Sequence, residues 1–301
     1  MRSMTLKIKS INGWKLFWLI ATPLSAGMVL GMTRVDLSSA EGVSSMIQFS
    51  VRRAVPLLYV VFAASSLQVL FPGSFTRWLL RNRKFIGFCF ATAMGWQLMF
   101  ILWLVGIHTD HYVNDVYVLS DVVEGVVGYT FLIAMVLTSF KFGRSRLTQK
   151  QWKLLHRSAI YYLWMYAWIV YWFNLFYYEG PAVLLDYVYY WGGFLAWGLR
   201  LCAWSKKRWR QPAVPSDAGG MRTLFLLSGV AAILIGLAGS GSGSVWSPPA
   251  YEFLYGFSVV NFVDPFIPYS PLIPFYPIFI MMLGALLMVK SRVIKKEAEQ
   301  E

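Results

Sequence analysis

Histidine is nearly absent from this chain, with three residues in 301, and cysteine is scarcer still, with two. Cys89 and Cys202 both lie in apolar runs and no CxxC is present. That excludes a disulfide framework, a structural zinc site and a cysteine-ligated iron–sulfur cluster as organising features. Acidic residues are few as well: 14 Asp and Glu stand against 27 Lys and Arg, a net charge of +13. Charged residues make up only 14% of the chain, where a soluble domain carries about 25%. No dinucleotide-binding glycine motif occurs, and no soluble domain of appreciable size can be read.

What fills the chain instead is apolar: 57% hydrophobic residues, 18% aromatic, and a mean hydropathy of +0.54. These residues gather into runs, and a helix needs roughly 20 of them to cross about 30 Å of hydrocarbon. The sequence predicts an all-α, polytopic membrane helix bundle of about eight spans: 14–32, 54–72, 84–106, 117–139, 154–178, 182–203, 223–240 and 272–290. The first run follows Arg2, Lys7 and Lys9 and contains Leu24-Ser25-Ala26-Gly27, a cleavage-like stretch. It is read as an uncleaved span, because its removal would invert the orientation of everything after it.

With the N-terminus placed in the cytoplasm, every Lys and Arg except Arg34, Arg52 and Arg53 falls on the inner side or at an inner helix end. Basic residues are retained on the cytoplasmic side of a membrane. The segregation predicts a multi-pass protein of the plasma membrane, of the bacterial inner-membrane kind, with both termini inside. It also explains the charge without nucleic acid: inner cations attract anionic lipids. The expected partners are membrane lipids and a membrane or soluble protein.

Between the last two spans lies an outer segment, 241–271. It opens Gly241-Ser-Gly-Ser244 and contains Pro248, Pro249, Pro265, Pro268 and Pro271. Proline at this density argues against a regular helix. The aromatics Tyr251, Phe253, Tyr255 and Phe257 suit a headgroup-level cap or a docking surface.

Candidate chemistry is sparse. His108, Asp110 and His111 form a short cluster with ligand types that a divalent metal uses, with Asp115 nearby. His156 opens the fifth span and reads equally as a headgroup or capping residue. Gln97 stands inside the third span, where its amide must find a partner, another helix or a ligand. The fifth span is crowded with rings from Tyr161 to Tyr178, which serve packing, a flat-ring pocket or a redox relay. Gly125, Gly128, Gly192, Gly193 and Gly236 allow close helix approach.

Two stretches together resemble the ferric reductase-like transmembrane domain family, particularly the haem-containing membrane subunit of bacterial periplasmic methionine sulfoxide reductase systems. The first is Arg83-Lys-Phe-Ile-Gly87-Phe-Cys-Phe-Ala91. The second is Val136-Leu-Thr138-Ser139, a basic loop, then Trp152-Lys-Leu-Leu-His156-Arg157. The resemblance covers residues 14–203. It implies a six-helix core over 1–203, a basic cytoplasmic loop at 204–222, and two additional spans with their outer segment over 223–301. It further implies b-type haem held by three histidines. His156 matches one of them; Gln97 and Ile169 occupy the other two positions. Methionine serves as a second axial ligand in some haem proteins, and Met94, Met99 and Met165 are candidates for that role.

The reading is therefore a degenerate member of this family, without the standard haem, acting as a non-enzymatic subunit or scaffold of a membrane complex. The alternative is an electron-transfer protein binding b-type haem or quinone and working with a soluble redox partner. A transporter is the third reading, opposed by the lack of ionisable residues near the bilayer midplane.

Overall fold

A computed structural model describes residues 11–178, 180–209, 219–270 and 272–293. Arg2, Lys7, Lys9, Glu179, residues 210–218 of the basic loop at 204–222, Pro271, Lys295 and Lys296 fall outside the described residues. Among those described there is no strand. The long helices are α1 (Trp14–Met32), α2 (Ala40–Leu70), α3 (Ser74–Ile107), α4 (Leu119–Leu137), α5 (Gln149–Phe176), α6 (Leu184–Trp209), α7 (Gly219–Gly241), α8 (Gly243–Tyr255) and α9 (Tyr276–Val293). Six of them, α1 to α4, α7 and α9, hold stretches long and apolar enough to cross a bilayer. This chain is a helical integral membrane protein.

A helix stands at each of the eight expected span positions. The fifth and sixth, α5 and α6, have sufficient length at 28 and 26 residues. They are less apolar than the other six, because α5 opens with Lys150, Lys153, His156 and Arg157, and α6 carries Asp186, Arg200 and Lys206. Two further differences have local causes. Helix α2 starts at Ala40, well before the apolar run, because Ser39 caps it: its side chain accepts the Gly42 amide at 3.1 Å. The segment 241–271 does contain a regular helix, α8, with Pro248 and Pro249 inside it. Proline's fixed φ is compatible with helix; what it removes is an N–H and room for the carbonyl four residues back. Here that cost is confined to the first two turns of a 13-residue helix.

The chain divides into two compact units, Met1–Trp168 and Ile169–Glu301. In the first, α2 and α3 form an antiparallel pair joined by a tight turn, and α1 packs on both. The entry to α1 is clamped by the start of α3. Buried Asn82 accepts the Gly13 amide at 2.9 Å and donates to Asn12 Oδ1 at 2.8 Å, while Trp78 Nε1 donates to the Ile11 carbonyl at 3.0 Å. Val43, Met46, Phe100 and Leu104 form a core at the other end of α3. Phe62 stacks on Trp164, with ring centroids 5.3 Å apart.

In the second unit α7 and α9 lie backbone to backbone. A Cβ on Gly229 would come within 2.8 Å of the Gly284 carbonyl oxygen, and one on Gly284 within 2.7 Å of the Gly229 oxygen. Small residues permit such approach in membranes, where dispersion contacts rather than hydrophobic exclusion hold helices together. Helix α6 packs on α9. Its buried Asp186 acts as a cap, accepting the Val183 amide at 3.1 Å and the Asn174 side-chain amide at 3.1 Å.

Candidate functional site

The polar cluster around His156 is built where α4 ends and α5 begins. A helix leaves its last carbonyls without intrahelical partners. Here they are collected by side chains from two other helices. Trp152 Nε1 donates to the Thr138 carbonyl at 3.2 Å, and Lys84 Nζ, from α3, donates to the Ser139 carbonyl at 2.5 Å. A cation at a helix C-terminus is also favoured by the helix dipole. The Arg144 guanidinium lies over the Trp152 ring, 5.2 Å from its centroid, and donates to the Leu147 carbonyl. The Trp152 and His156 rings are 4.4 Å apart by centroid.

Within this cap, His156 Nε2 lies 3.0 Å from Thr138 Oγ1. A threonine hydroxyl has one proton and also accepts. Thr138 Oγ1 lies 2.6 Å from the Ala134 carbonyl, which can only accept. With the proton on that carbonyl, the hydroxyl oxygen accepts from the Nε2–H tautomer of His156, and Nε2 is engaged in the cap.

Gln97 is buried in α3, and its Oε1 lies 3.1 Å from the Tyr129 hydroxyl of α4. The same hydroxyl is 3.2 Å from the Met94 carbonyl, so one phenolic proton is shared between two acceptors. This bond joins α3, about two-thirds of the way along it, to the middle of α4.

His156 and Gln97 are not brought together. Lys84 marks the level of the His156 cluster on α3, and Gln97 is thirteen residues further on, about 20 Å of helix at 1.5 Å per residue. On α4, Thr138 and Tyr129 are nine residues apart, about 14 Å. Two axial donors to one iron must face each other across it, and these two stand at different depths. The residues present do not fit a bis-axial haem: one histidine with its Nε2 engaged by Thr138, a glutamine bonded to a tyrosine elsewhere, and Ile169.

The third candidate set lies beyond α3. His108 is the C-terminal cap residue of that helix, and its Nε2 is buried without a hydrogen-bond partner. His111 Nδ1 is paired with Asp115 Oδ2 at 3.0 Å rather than with Asp110. Among the described residues no three His, Cys, Asp or Glu side chains group as metal ligands would.

Tyr129 and Lys84 were not singled out by the sequence. The only signal for Tyr129 is that a buried amide on one helix needs a hydroxyl at matching depth on a neighbour, which requires knowing that α3 and α4 are adjacent. Thr138 stood in the quoted Leu-Thr-Ser motif, but its bond to His156 spans eighteen residues.

The chain matches no protein-family model, no curated protein and no solved structure.

Proposed function

We propose that this chain is a non-catalytic subunit of a membrane complex, a helical scaffold related in its first six helices to ferric reductase-like domains but without their haem. The observation that carries the reading is the Thr138–His156 bond: the one histidine matching a family ligand works as part of a helix cap, with its Nε2 bonded to Thr138 Oγ1 at 3.0 Å. The Gln97–Tyr129 bond supports it, since the second ligand position serves as a tie between helices. The basic loops and helix ends would face the cytoplasm of a bacterial cell.

A second reading, transmembrane electron transfer with a soluble partner, is favoured by one feature. Trp164 and Trp168 are stacked with centroids 5.8 Å apart, and Phe62 continues the stack. Such rings also result from packing alone.

The scaffold reading is tested by native electrophoresis of mild-detergent membrane extracts at ordinary expression levels, with mass spectrometry of the band. The 34.4 kDa chain is expected in a larger particle of reproducible composition, retained by His156→Ala. A chain migrating as a bare protomer contradicts it.

A further inference from the structure

The three basic residues that break the charge segregation are Arg34, Arg52 and Arg53, and two of them line one cavity. It has a volume of about 310 Å³ and lies between the end of α1 and the first half of α2. Its walls are apolar, from Leu30, Val35, Met46 and Phe49, with Gly27 and Gly31 forming the α1 side. Among the described residues lining it, Arg34 and Arg53 are the charged ones and none is a carboxylate.

The Arg53 guanidinium and the Arg34 backbone are placed by local structure. Arg53 lies flat over the Phe49 ring, 3.1 Å from its centroid, and donates through Nη1 to the Phe49 carbonyl at 3.1 Å. This stacking holds it against the cavity wall. Arg34 sits just past the end of α1, where its amide bonds to the Gly31 carbonyl at 3.0 Å. Leu30, which lines the cavity, is exposed on α1, so the cavity reaches the surface of a membrane-crossing helix.

We propose that this cavity is a binding site for an anionic phospholipid, its phosphate between Arg34 and Arg53 and the beginning of an acyl chain along Leu30, Met46 and Phe49. Two guanidiniums suit a phosphate, which accepts paired N–H donors from each. A purely aqueous anion would gain nothing from the apolar walls, whereas a lipid buries methylenes there. A volume near 310 Å³ is at the small end for ligand sites, which run roughly 300–1,000 Å³. It therefore takes a headgroup and the start of one chain, with the rest lying on α1. Arg53 lies in α2 at the start of the apolar run 54–72, the level at which a lipid phosphate would meet it.

The test uses the purified full-length protein, delipidated in detergent. Native mass spectrometry or thermal-shift titration is run with phosphatidylglycerol, phosphatidylcholine and inorganic phosphate at fixed ionic strength. Phosphatidylglycerol should bind tightest. The Arg34→Gln/Arg53→Gln double variant should lose roughly tenfold or more in phosphatidylglycerol affinity, since charge-assisted hydrogen bonds to the phosphate disappear. Gly27→Phe keeps both charges and adds a ring at the cavity wall, from a Cβ that meets nothing within 4 Å; its folding is checked by its thermal transition without lipid. It should weaken phosphatidylglycerol binding to a similar extent. Equal affinity for the two lipids, unchanged binding in either variant, or inorganic phosphate binding as tightly as phosphatidylglycerol would overturn the proposal.

Discussion

Thr138 Oγ1 and His156 Nε2 meet at 3.0 Å where α4 ends and α5 begins, with the hydroxyl proton already given to Ala134. Thr138→Val keeps the volume and removes the acceptor, leaving the imidazole N–H unpaired. A half-buried donor stranded in this way costs about 1–3 kcal/mol. Thermal unfolding in detergent should show that loss, and Thr138→Ser should recover most of it. If Thr138→Val is as stable as the parent chain, the bond does not hold the cap together.

Gln97 and Tyr129 should couple energetically. In a cycle of Gln97→Leu, Tyr129→Phe and the double variant, the interaction energy is expected at about 0.6–2 kcal/mol, the range found for hydrogen bonds between membrane helices. Additive effects of the two single changes would show that the amide has another role.

At the Gly229–Gly284 crossing there is no room for a methyl group, because each Cβ would press on the other helix's carbonyl oxygen. Gly229→Ala and Gly284→Ala should each force α7 and α9 apart and destabilise the protein by about 1–3 kcal/mol, the usual cost of overpacking. Gly125→Ala, where a Cβ meets nothing within 4 Å, is the control and should be close to neutral.

The turn before α2 should weaken in acid. Ser38 donates both its hydroxyl, at 2.6 Å, and its amide, at 2.9 Å, to Asp36 Oδ1, and these bonds hold the carboxyl below its usual range. A folded-state value lowered in this way means the stabilisation is present above the unfolded carboxylate value. It is lost as pH falls through the lowered folded value. Hydrogen exchange across residues 33–42, corrected for intrinsic rates, should show less protection at the acid end. Ser38→Ala should move the onset toward higher pH. A pH-independent pattern contradicts the assignment.

Long apolar runs made the helical, membrane-crossing character legible, because α1, α4, α7 and α9 coincide with those runs to within a few residues. Helix α2 was less so: its first fourteen residues are mixed in polarity, and only the Ser39 cap and the Met46–Phe100 core account for their being helical. The lower apolarity of α5 and α6 comes from the charged residues at their ends together with tyrosine and tryptophan, each of which brings a polar atom. Of the candidate site, His156 and Gln97 could be picked out singly. Their partners could not, since Thr138 and Tyr129 lie on a different helix from either, and nothing in residue order tells which helices are neighbours. The paired cations Arg34 and Arg53 were visible as exceptions to the charge pattern, but the cavity they share depends on how α1 crosses α2.

The central claim, that His156 and Gln97 serve the fold and not a haem, is tested most directly by absorption spectroscopy. The detergent-purified protein, expressed with ample haem precursor, is measured oxidised and dithionite-reduced and then assayed as the pyridine haemochrome. The account predicts no Soret band, substoichiometric haemochrome, and the same result for His156→Ala. A near-stoichiometric haem whose Soret band shifts on reduction and vanishes in His156→Ala would contradict it.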